Sequence, residues 1–243
     1  MELIAFGGPS IGRPDPAATR RIDFRPPARC GDITQAVSSR PVAIGLIDGV
    51  FDTAAAVWHK EIVYALSEGV VVFGAASIGA LRAVELEPFG MIGVGDVFRL
   101  YRDGEIEDDD EVAVQHGPEE LGFLPLTEAM VNIRATLEAA AQAGILVPDE
   151  QTALCRAAKS LFYKHRTWDR ILAAAGAHIA FHDAIVQFER WRVSNHIDVK
   201  RRDALLLVDA MLNYRPDIVS VDNKPVLNRT TYWVSHEERF RQS

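Results

Sequence analysis

Ser77 stands in a run of small residues where a serine hydroxyl could act as a nucleophile. The apolar residues 70–73 predict a strand, residues 74–79 predict a turn, and a helix is expected from about Ala80. The stretch Ala-Ala-Ser-Ile-Gly at residues 75–79 is close to the Gly-x-Ser-x-Gly nucleophile elbow, with alanine in place of the first glycine. Such a turn lifts the hydroxyl above the sheet while helix N–H groups stabilise an oxyanion. A serine here also suits the N-cap of the helix, and both interpretations stay open.

A nucleophilic serine needs a base, and two histidines are candidates. His59 follows the turn at residues 48–52, but the predicted helix puts it about six residues, or roughly 9 Å, below the rim of the sheet. His116 lies in a His-Gly-Pro turn, and an acid from residues 108–110 would complete the order Ser, Asp, His of α/β-hydrolases. Asp48, at the end of a predicted strand, is a candidate to orient the base or to bind a ligand. The alternatives are surface or packing roles for both histidines and an Asx turn for Asp48.

Three polar or glycine-rich turns follow predicted strands, at residues 7–10, 48–52 and 74–79. Alternating strands and helices predict parallel pairing, so the turns after the strands should lie along one edge of the sheet, where ligands bind. Convergence of the three turns is the main structural argument for a site. The residues at this rim that we expect to bind substrate or to stabilise an oxyanion are Gly8, Ser10, Gly79 and Arg82.

The chain alternates strand and helix patterns in about its first 100 residues and is helical afterwards. Its short apolar runs are typical of parallel strands that are buried on both faces. These patterns predict an α/β fold, with an open, mostly parallel, Rossmann-like sheet followed by a helical C-terminal subdomain. We assign the α/β core to residues 1–125, and the helical subdomain with its tail to residues 126–243. The tail from residue 216 has little periodicity.

Other groups that could do chemistry favour structural interpretations. Cys30 follows Arg29, which would lower the pKa of its thiol, although a lone thiol is usually incidental. Glu61 is predicted to lie on a solvated helix face. The acidic run at residues 105–111 lacks the spacing of a calcium loop, and we expect it to be a solvated turn. We therefore expect no metal site. The turn after the first strand lacks Gly-x-Gly-x-x-Gly, so no dinucleotide or other cofactor is expected.

The composition limits the partners and the location of the protein. The chain has 243 residues and a formal net charge of −8, which argues against generic nucleic-acid binding. No apolar run reaches the roughly 18 residues of a membrane span, and the N-terminus lacks the basic region of a signal peptide. Two cysteines exclude a disulfide scaffold and fit a reducing compartment. We expect a cytoplasmic protein without nucleic-acid or membrane partners, and self-association into a homo-oligomer stays open.

Several longer motifs occur along the chain. They are GLIDGVF at 45–51, VWHKEI at 57–62, GAASIGALRA at 74–83, GMIGVG at 90–95, DDDEVA at 108–113 and MVNIR at 130–134. In this order they resemble the core of the TfuA-like family, over about residues 1–135. The resemblance implies a role beside a YcaO-type, ATP-using cyclodehydratase that makes backbone thioamides in ribosomal peptides or proteins. It also implies sulfide release from a thiocarboxylated, ubiquitin-like sulfur-carrier protein.

Two functions from different classes follow from the residues and the resemblance together. In the first, the protein is a hydrolase: Ser77 attacks the thiocarboxyl carbon, His59 or His116 accepts the proton, and sulfide passes to the cyclodehydratase. In the second, the protein is a non-catalytic adaptor that docks the carrier and the cyclodehydratase through its helical half. Binding of a nucleotide or phosphate at residues 7–10 is a third interpretation.

Overall fold

The computed structural model describes residues 2–50, 54–176, 182–215 and 224–241. The chain forms two compact units. The sheet unit consists of Met1–Glu107 and Lys200–Ser243, and the helical unit consists of Asp108–Val199. The boundary expected at residue 125, between the α/β core and the helical subdomain, stays a prediction.

The sheet unit is built on five parallel strands in the order β2-β1-β3-β4-β5. The strands are Leu3–Phe6 (β1), Asp23–Arg25 (β2), Ala43–Leu46 (β3), Val71–Ala75 (β4) and Ile92–Val94 (β5). This order is that of doubly wound sheets whose ligands bind between β1 and β3, where the direction of winding reverses. The open parallel sheet predicted from the sequence is therefore confirmed.

Helices follow most of the strands and dominate the rest of the chain. They are Pro16–Thr19 (α1), Asp32–Val37 (α2), His59–Ser67 (α3), Ile78–Leu86 (α4), Asp96–Arg102 (α5), Met130–Gln142 (α6), Pro148–Ser160 (α7), Trp168–Gly176 (α8), His182–Asn195 (α9), Val199–Asn213 (α10) and Thr231–Arg241 (α11). The predicted helical C-terminal region is confirmed.

The core of the sheet unit explains why the central strands are continuous apolar runs. Every residue of β1, β3 and β4 is buried. One face of the sheet packs against α10, whose Leu207 and Met211 join the core cluster. A Cβ atom at Gly45 would lie 2.5 Å from the sulfur of Met211, so a larger residue in β3 would require the Met211 side chain to move.

Two element boundaries differ from the sequence-based expectation. The helix predicted to follow residues 48–52 starts only at His59. Trp58 is still extended, and the carboxylate of Glu61 accepts its N–H at 3.2 Å, which caps the helix at this residue. The tail beyond residue 216 was expected to lack periodicity, yet α11 forms within it. The buried side chains Trp233, His236 and Glu237 give α11 one inward face at helical spacing.

The helical unit has its own apolar core. Residues from α6, α7, α8 and α9 form this cluster, which includes Leu137, Leu154, Ile171 and Phe188. Beside it, Glu111 accepts two hydrogen bonds of 2.9 Å from Arg134. The acidic run that was expected to be solvated thus contributes a buried carboxylate, since Glu111 is 2% exposed.

Within the described ranges, no helix is both long enough and apolar enough to cross a membrane.

Candidate functional site

The loops after β1 and β3 are joined by one buried carboxylate. Asp48 accepts the N–H groups of Gly8 and Ser10 on Oδ2 at 2.9 and 3.0 Å. The hydroxyl of Ser10 donates to Oδ1 of the same residue at 2.6 Å. Asp48 and Ser10 are 1% and 2% exposed, so these bonds form where water cannot replace them. Both residues therefore fix the rim between β1 and β3.

The loop after β4 packs directly against the end of β3. A Cβ atom at Gly79 would lie 1.8 Å from the carbonyl oxygen of Leu46, so only glycine permits this contact. The N–H of Gly79 donates to the carbonyl of Ile47 at 3.4 Å. The three rim turns that were expected to converge therefore do so, through Asp48 on one side of β3 and Gly79 on the other.

Ser77 lies in a sharp turn between β4 and α4, as the elbow-like sequence predicts. Strand β4 continues through Ala75, two residues further than expected, and α4 starts at Ile78. Ala76 between them has a φ of 65°, a left-handed conformation that costs an alanine about 1 kcal/mol or more. Ser77 is at the N-cap position, but its side chain makes no capping hydrogen bond. The capping interpretation thus accounts for the position of Ser77 and not for its hydroxyl.

The first N–H groups of α4 are the natural donors to an oxyanion near Ser77. Ile78 is the residue after the serine, the place from which an elbow supplies its oxyanion donor. No hydrogen bond from the Ile78 N–H occurs within the part of the chain that the structure describes. The N–H groups of Gly8 and Gly79, which we expected to serve, instead donate to Asp48 and Ile47. Ile78 is thus a better candidate than either glycine.

His59 lies at the very start of α3, so the expected depth of about six residues inside the helix is wrong. Its Nε2 atom is 2.7 Å from Oε2 of Glu85 on α4. Arg82 donates to the same oxygen from Nη1 at 2.7 Å and to the carbonyl of Val57 from Nε at 3.1 Å. Glu85 thereby holds the imidazole and the guanidinium together. Both side chains line a surface pocket of about 440 Å³.

His116 belongs to the helical unit. Its Nδ1 atom is 2.8 Å from the carbonyl oxygen of Gly117, and its ring meets Phe123 edge-on at 5.6 Å between centroids. These contacts are those of a packed turn histidine. Among the described residues, no hydrogen bond joins Ser77 to either histidine.

A match to a protein family covers much of this site. Residues 48–167 match the model of a family described as TfuA-like protein. Over these residues, the chain is similar to the TfuA-like family. No match was found among curated proteins.

The TfuA-like segment contains five of the side chains that the sequence singled out as catalytic or substrate-binding candidates. They are Asp48, His59, Ser77, Arg82 and His116. Gly8 and Ser10 precede the segment, although Asp48 binds both. The segment starts later and ends later than the resemblance suggested, since it runs from residue 48 to residue 167.

A second polar cluster in the sheet unit was not predicted. Glu61, expected on a solvated face, is fully buried and accepts the N–H of Gly31 at 2.9 Å and the hydroxyl of Thr34 at 3.2 Å. The Thr34 hydroxyl also lies 3.1 Å from Nε2 of His236. Burial and the nearby Glu61 carboxylate raise the pKa of the Cys30 thiol to about 11, so the expected lowering by Arg29 is wrong. The sequence offers no local signal for this cluster, because its members come from three distant segments.

Proposed function

We propose that this TfuA-like protein releases sulfide from the C-terminal thiocarboxylate of a ubiquitin-like sulfur-carrier protein by hydrolysis. The sulfide would supply a YcaO-type cyclodehydratase that forms thioamides in a ribosomal peptide or protein. The observation that carries the proposal is the presence of a hydroxyl and a backbone N–H side by side at the start of α4, on Ser77 and Ile78. The serine hydroxyl has no capping bond, and the next N–H has no acceptor among the described residues.

The reaction needs a nucleophile and an oxyanion donor, and both are available in this turn. Ser77 Oγ attacks the thiocarboxyl carbon, and the carbonyl oxygen takes the negative charge. The N–H of Ile78 and the positive end of α4 stabilise that charge. The carbon–sulfur bond then breaks, sulfur leaves as hydrogen sulfide, and an acyl-serine ester remains. Water hydrolyses the ester to the carboxylate, so that one water is consumed for each sulfide released.

His59 is the base that we assign to this reaction. It belongs to the same compact unit as Ser77, and Glu85 lies 2.7 Å from its Nε2. A carboxylate orients the imidazole of a catalytic triad through Nδ1, so in this protein the two nitrogens exchange roles and Nδ1 accepts the proton. The His59 side chain is half exposed, and a general base can come within hydrogen-bond reach of its nucleophile only when substrate is bound. His116 remains the other candidate, to be distinguished by substitution.

Arg82 and Asp48 have supporting roles in the proposal. Arg82 lines the pocket beside His59 and attracts the anionic C-terminus of the carrier. Asp48 is a positioning residue, because both its oxygens are occupied by Gly8 and Ser10. It holds the rim in shape and takes no proton.

The experiment that tests the proposal mixes the purified protein with a thiocarboxylated carrier and measures free sulfide over time. Sulfide formation without the cyclodehydratase supports a hydrolase. Sulfur transfer that occurs only when the cyclodehydratase is added, with no free sulfide before, supports the non-catalytic adaptor and refutes the hydrolase. The carrier in its ordinary carboxylate form is the control, since it can release no sulfide.

A further inference from the structure

Three metal-binding side chains meet in the sheet unit, and none of them is a residue assigned to sulfide release. Cys30 precedes α2, Glu61 is in the first turn of α3, and His236 is on α11. The thiol sulfur, one carboxylate oxygen and one imidazole nitrogen all lie within 4.8 Å of one another. Oε2 of Glu61 and Nε2 of His236 are 3.9 Å apart. The three donors come from distant parts of the chain, so their convergence is a product of the fold.

Packing holds these donors in place before any ion binds. The ring of His236 stacks on Trp58 and Trp233, with centroids 4.7 and 5.1 Å away. Glu61 is held by the N–H groups of Gly31 and Trp58 at 2.9 and 3.2 Å. Outer contacts of this kind orient the ligands in metal sites.

The charge around Glu61 favours a cation. The carboxylate is completely buried, and its hydrogen bonds come from neutral groups: the N–H groups of Gly31, Thr34 and Trp58, and the Thr34 hydroxyl. A buried carboxylate is costly unless it is paired or binds a metal. Oε2 accepts the three bonds from Gly31 and Thr34 and lies 3.9 Å from the imidazole. Oε1 accepts the Trp58 N–H and has a further lone pair for an ion.

A pocket adjoins the cluster and would give access to it. The pocket has a volume of about 440 Å³, and its lining includes Cys30 and His236 themselves. Arg29, Arg239, Trp58 and Tyr232 complete much of its wall. The site is therefore reachable from solvent on one side and enclosed by protein on the other.

We propose that Cys30, Glu61 and His236 form a binding site for a zinc-type divalent cation, with a fourth coordination position open to this pocket. Sulfur, nitrogen and oxygen donors in one site suit zinc, and three protein ligands with one open position are typical of sites that bind a further ligand. On binding, the thiol releases its proton to water, so thiolate and carboxylate together balance the charge of the ion. The imidazole moves its proton to Nδ1, and Nε2 exchanges its contact with the Thr34 hydroxyl for the ion. The arginines at the pocket then favour a small anion in the fourth position. This inference does not depend on the function proposed for Ser77.

The test uses the full-length protein, freed of metal by a chelator and then titrated with Zn²⁺ or Co²⁺. We expect one zinc ion per chain after gel filtration, and a thiolate-to-metal charge-transfer absorption with Co²⁺. Cys30→Ser should abolish that absorption and weaken zinc binding by more than the roughly 10–100-fold that loss of an outer contact costs. Cys155→Ser is the matched control and should keep both signals, because Cys155 lies in the helical unit.

A second ligand variant keeps the test decisive if one substitution disturbs the fold. His236→Gln should weaken zinc binding but retain the charge-transfer absorption at saturating Co²⁺, since the thiolate remains. Circular dichroism of each metal-free variant identifies any variant that is unfolded. The proposal is overturned if the folded wild-type protein binds no zinc. It is equally overturned if Cys30→Ser and His236→Gln bind zinc as the wild type does, or if Cys155→Ser removes the absorption.

Discussion

Ser10 donates its hydroxyl hydrogen to Asp48 Oδ1 at 2.6 Å, and this bond ties the loop after β1 to the loop after β3. The two residues are 38 positions apart in the sequence. Asp48 also accepts the N–H groups of Gly8 and Ser10, so one carboxylate satisfies three buried donors. In sheets with this strand order, ligands bind between β1 and β3. The carboxylate occupies that place and shapes the rim next to the turn that contains the buried Ser77.

Removal of the Asp48 carboxylate should destabilise the sheet unit. Asp48→Ala leaves three buried donors without an acceptor, at about 1–3 kcal/mol for each donor that water does not reach. We expect the free energy of unfolding to fall by at least about 3 kcal/mol. Asp48→Asn keeps one acceptor oxygen and should cost less. Urea unfolding followed by circular dichroism measures both changes.

Asp103→Asn provides the comparison for that experiment. Asp103 is exposed and pairs with its neighbour Arg102 at 2.9 Å. Exposed pairs of this kind contribute little, so the free energy of unfolding should not change measurably. Equal effects of Asp48→Ala and Asp103→Asn would show that the joined loops are not a source of stability.

Local pattern predicts the sheet of this protein well. The apolar runs that became β1, β3 and β4 are buried on both faces, and this is the condition under which a strand is continuously apolar. The turn around Ser77 is predictable for a related reason. Its small residues are required by contacts within one strand–turn–helix unit and with the adjacent strand, as Gly79 against Leu46 illustrates.

Long-range contacts explain what the sequence did not reveal. The alanines at residues 54–56 favour a helix, but the carboxylate of Glu61 starts α3 at His59. Glu61 itself was assigned to solvent because charged residues are usually exposed, and its donors Gly31 and Thr34 come from 30 and 27 positions earlier. His236 meets Thr34 across 202 positions, a pairing that only the fold creates.

The stability of the protein should decrease between about pH 4 and pH 6 because of Asp203. This residue is fully buried on α10, where Oδ2 accepts the N–H of Val97 at 2.7 Å and Oδ1 has no hydrogen-bond partner among the described residues. Burial raises its pKa to about 6, against the partial opposition of Arg202 and Arg99. Because the pKa of Asp203 is higher in the folded than in the unfolded protein, the protonated carboxyl stabilises the fold fully below its unfolded pKa, near 3.9. This contribution is lost as the pH rises through the folded pKa.

Asp203→Asn should remove that dependence. Asparagine keeps an acceptor for the Val97 N–H and cannot ionise. Between pH 4 and pH 7, the wild type should lose about 2 kcal/mol more of its free energy of unfolding than the variant does. Urea titrations at several pH values measure the difference, in which contributions common to both proteins cancel. Parallel pH profiles for the two proteins would contradict the assignment.

His59→Gln should slow sulfide release if His59 is the base. We expect kcat to fall by about 10²–10⁴-fold, the usual contribution of a general base. The free energy of unfolding should change by less than about 0.5 kcal/mol, since the His59 side chain is half exposed. His116→Gln is the paired variant. A large fall in kcat with His116→Gln and none with His59→Gln would transfer the role to His116.

Arg82→Ala should weaken binding of the carrier. Loss of the guanidinium removes an attraction for an anionic C-terminus, which we expect to raise KM about tenfold, or about 1.4 kcal/mol, with a smaller effect on kcat. Arg102→Ala is the control, because Arg102 is an exposed arginine that pairs with Asp103. A fall in kcat with unchanged KM would indicate that Arg82 acts in the chemical step.

The most direct test of the central claim is the initial rate of sulfide release from a thiocarboxylated carrier by Ser77→Ala. Ser67→Ala serves as the control, because the Ser67 hydroxyl donates to the carbonyl of Tyr64 within α3. The proposed mechanism predicts that Ser77→Ala is folded and at least about 100-fold slower than the wild type, while Ser67→Ala keeps the wild-type rate. Sulfide release by Ser77→Ala at the wild-type rate would contradict it.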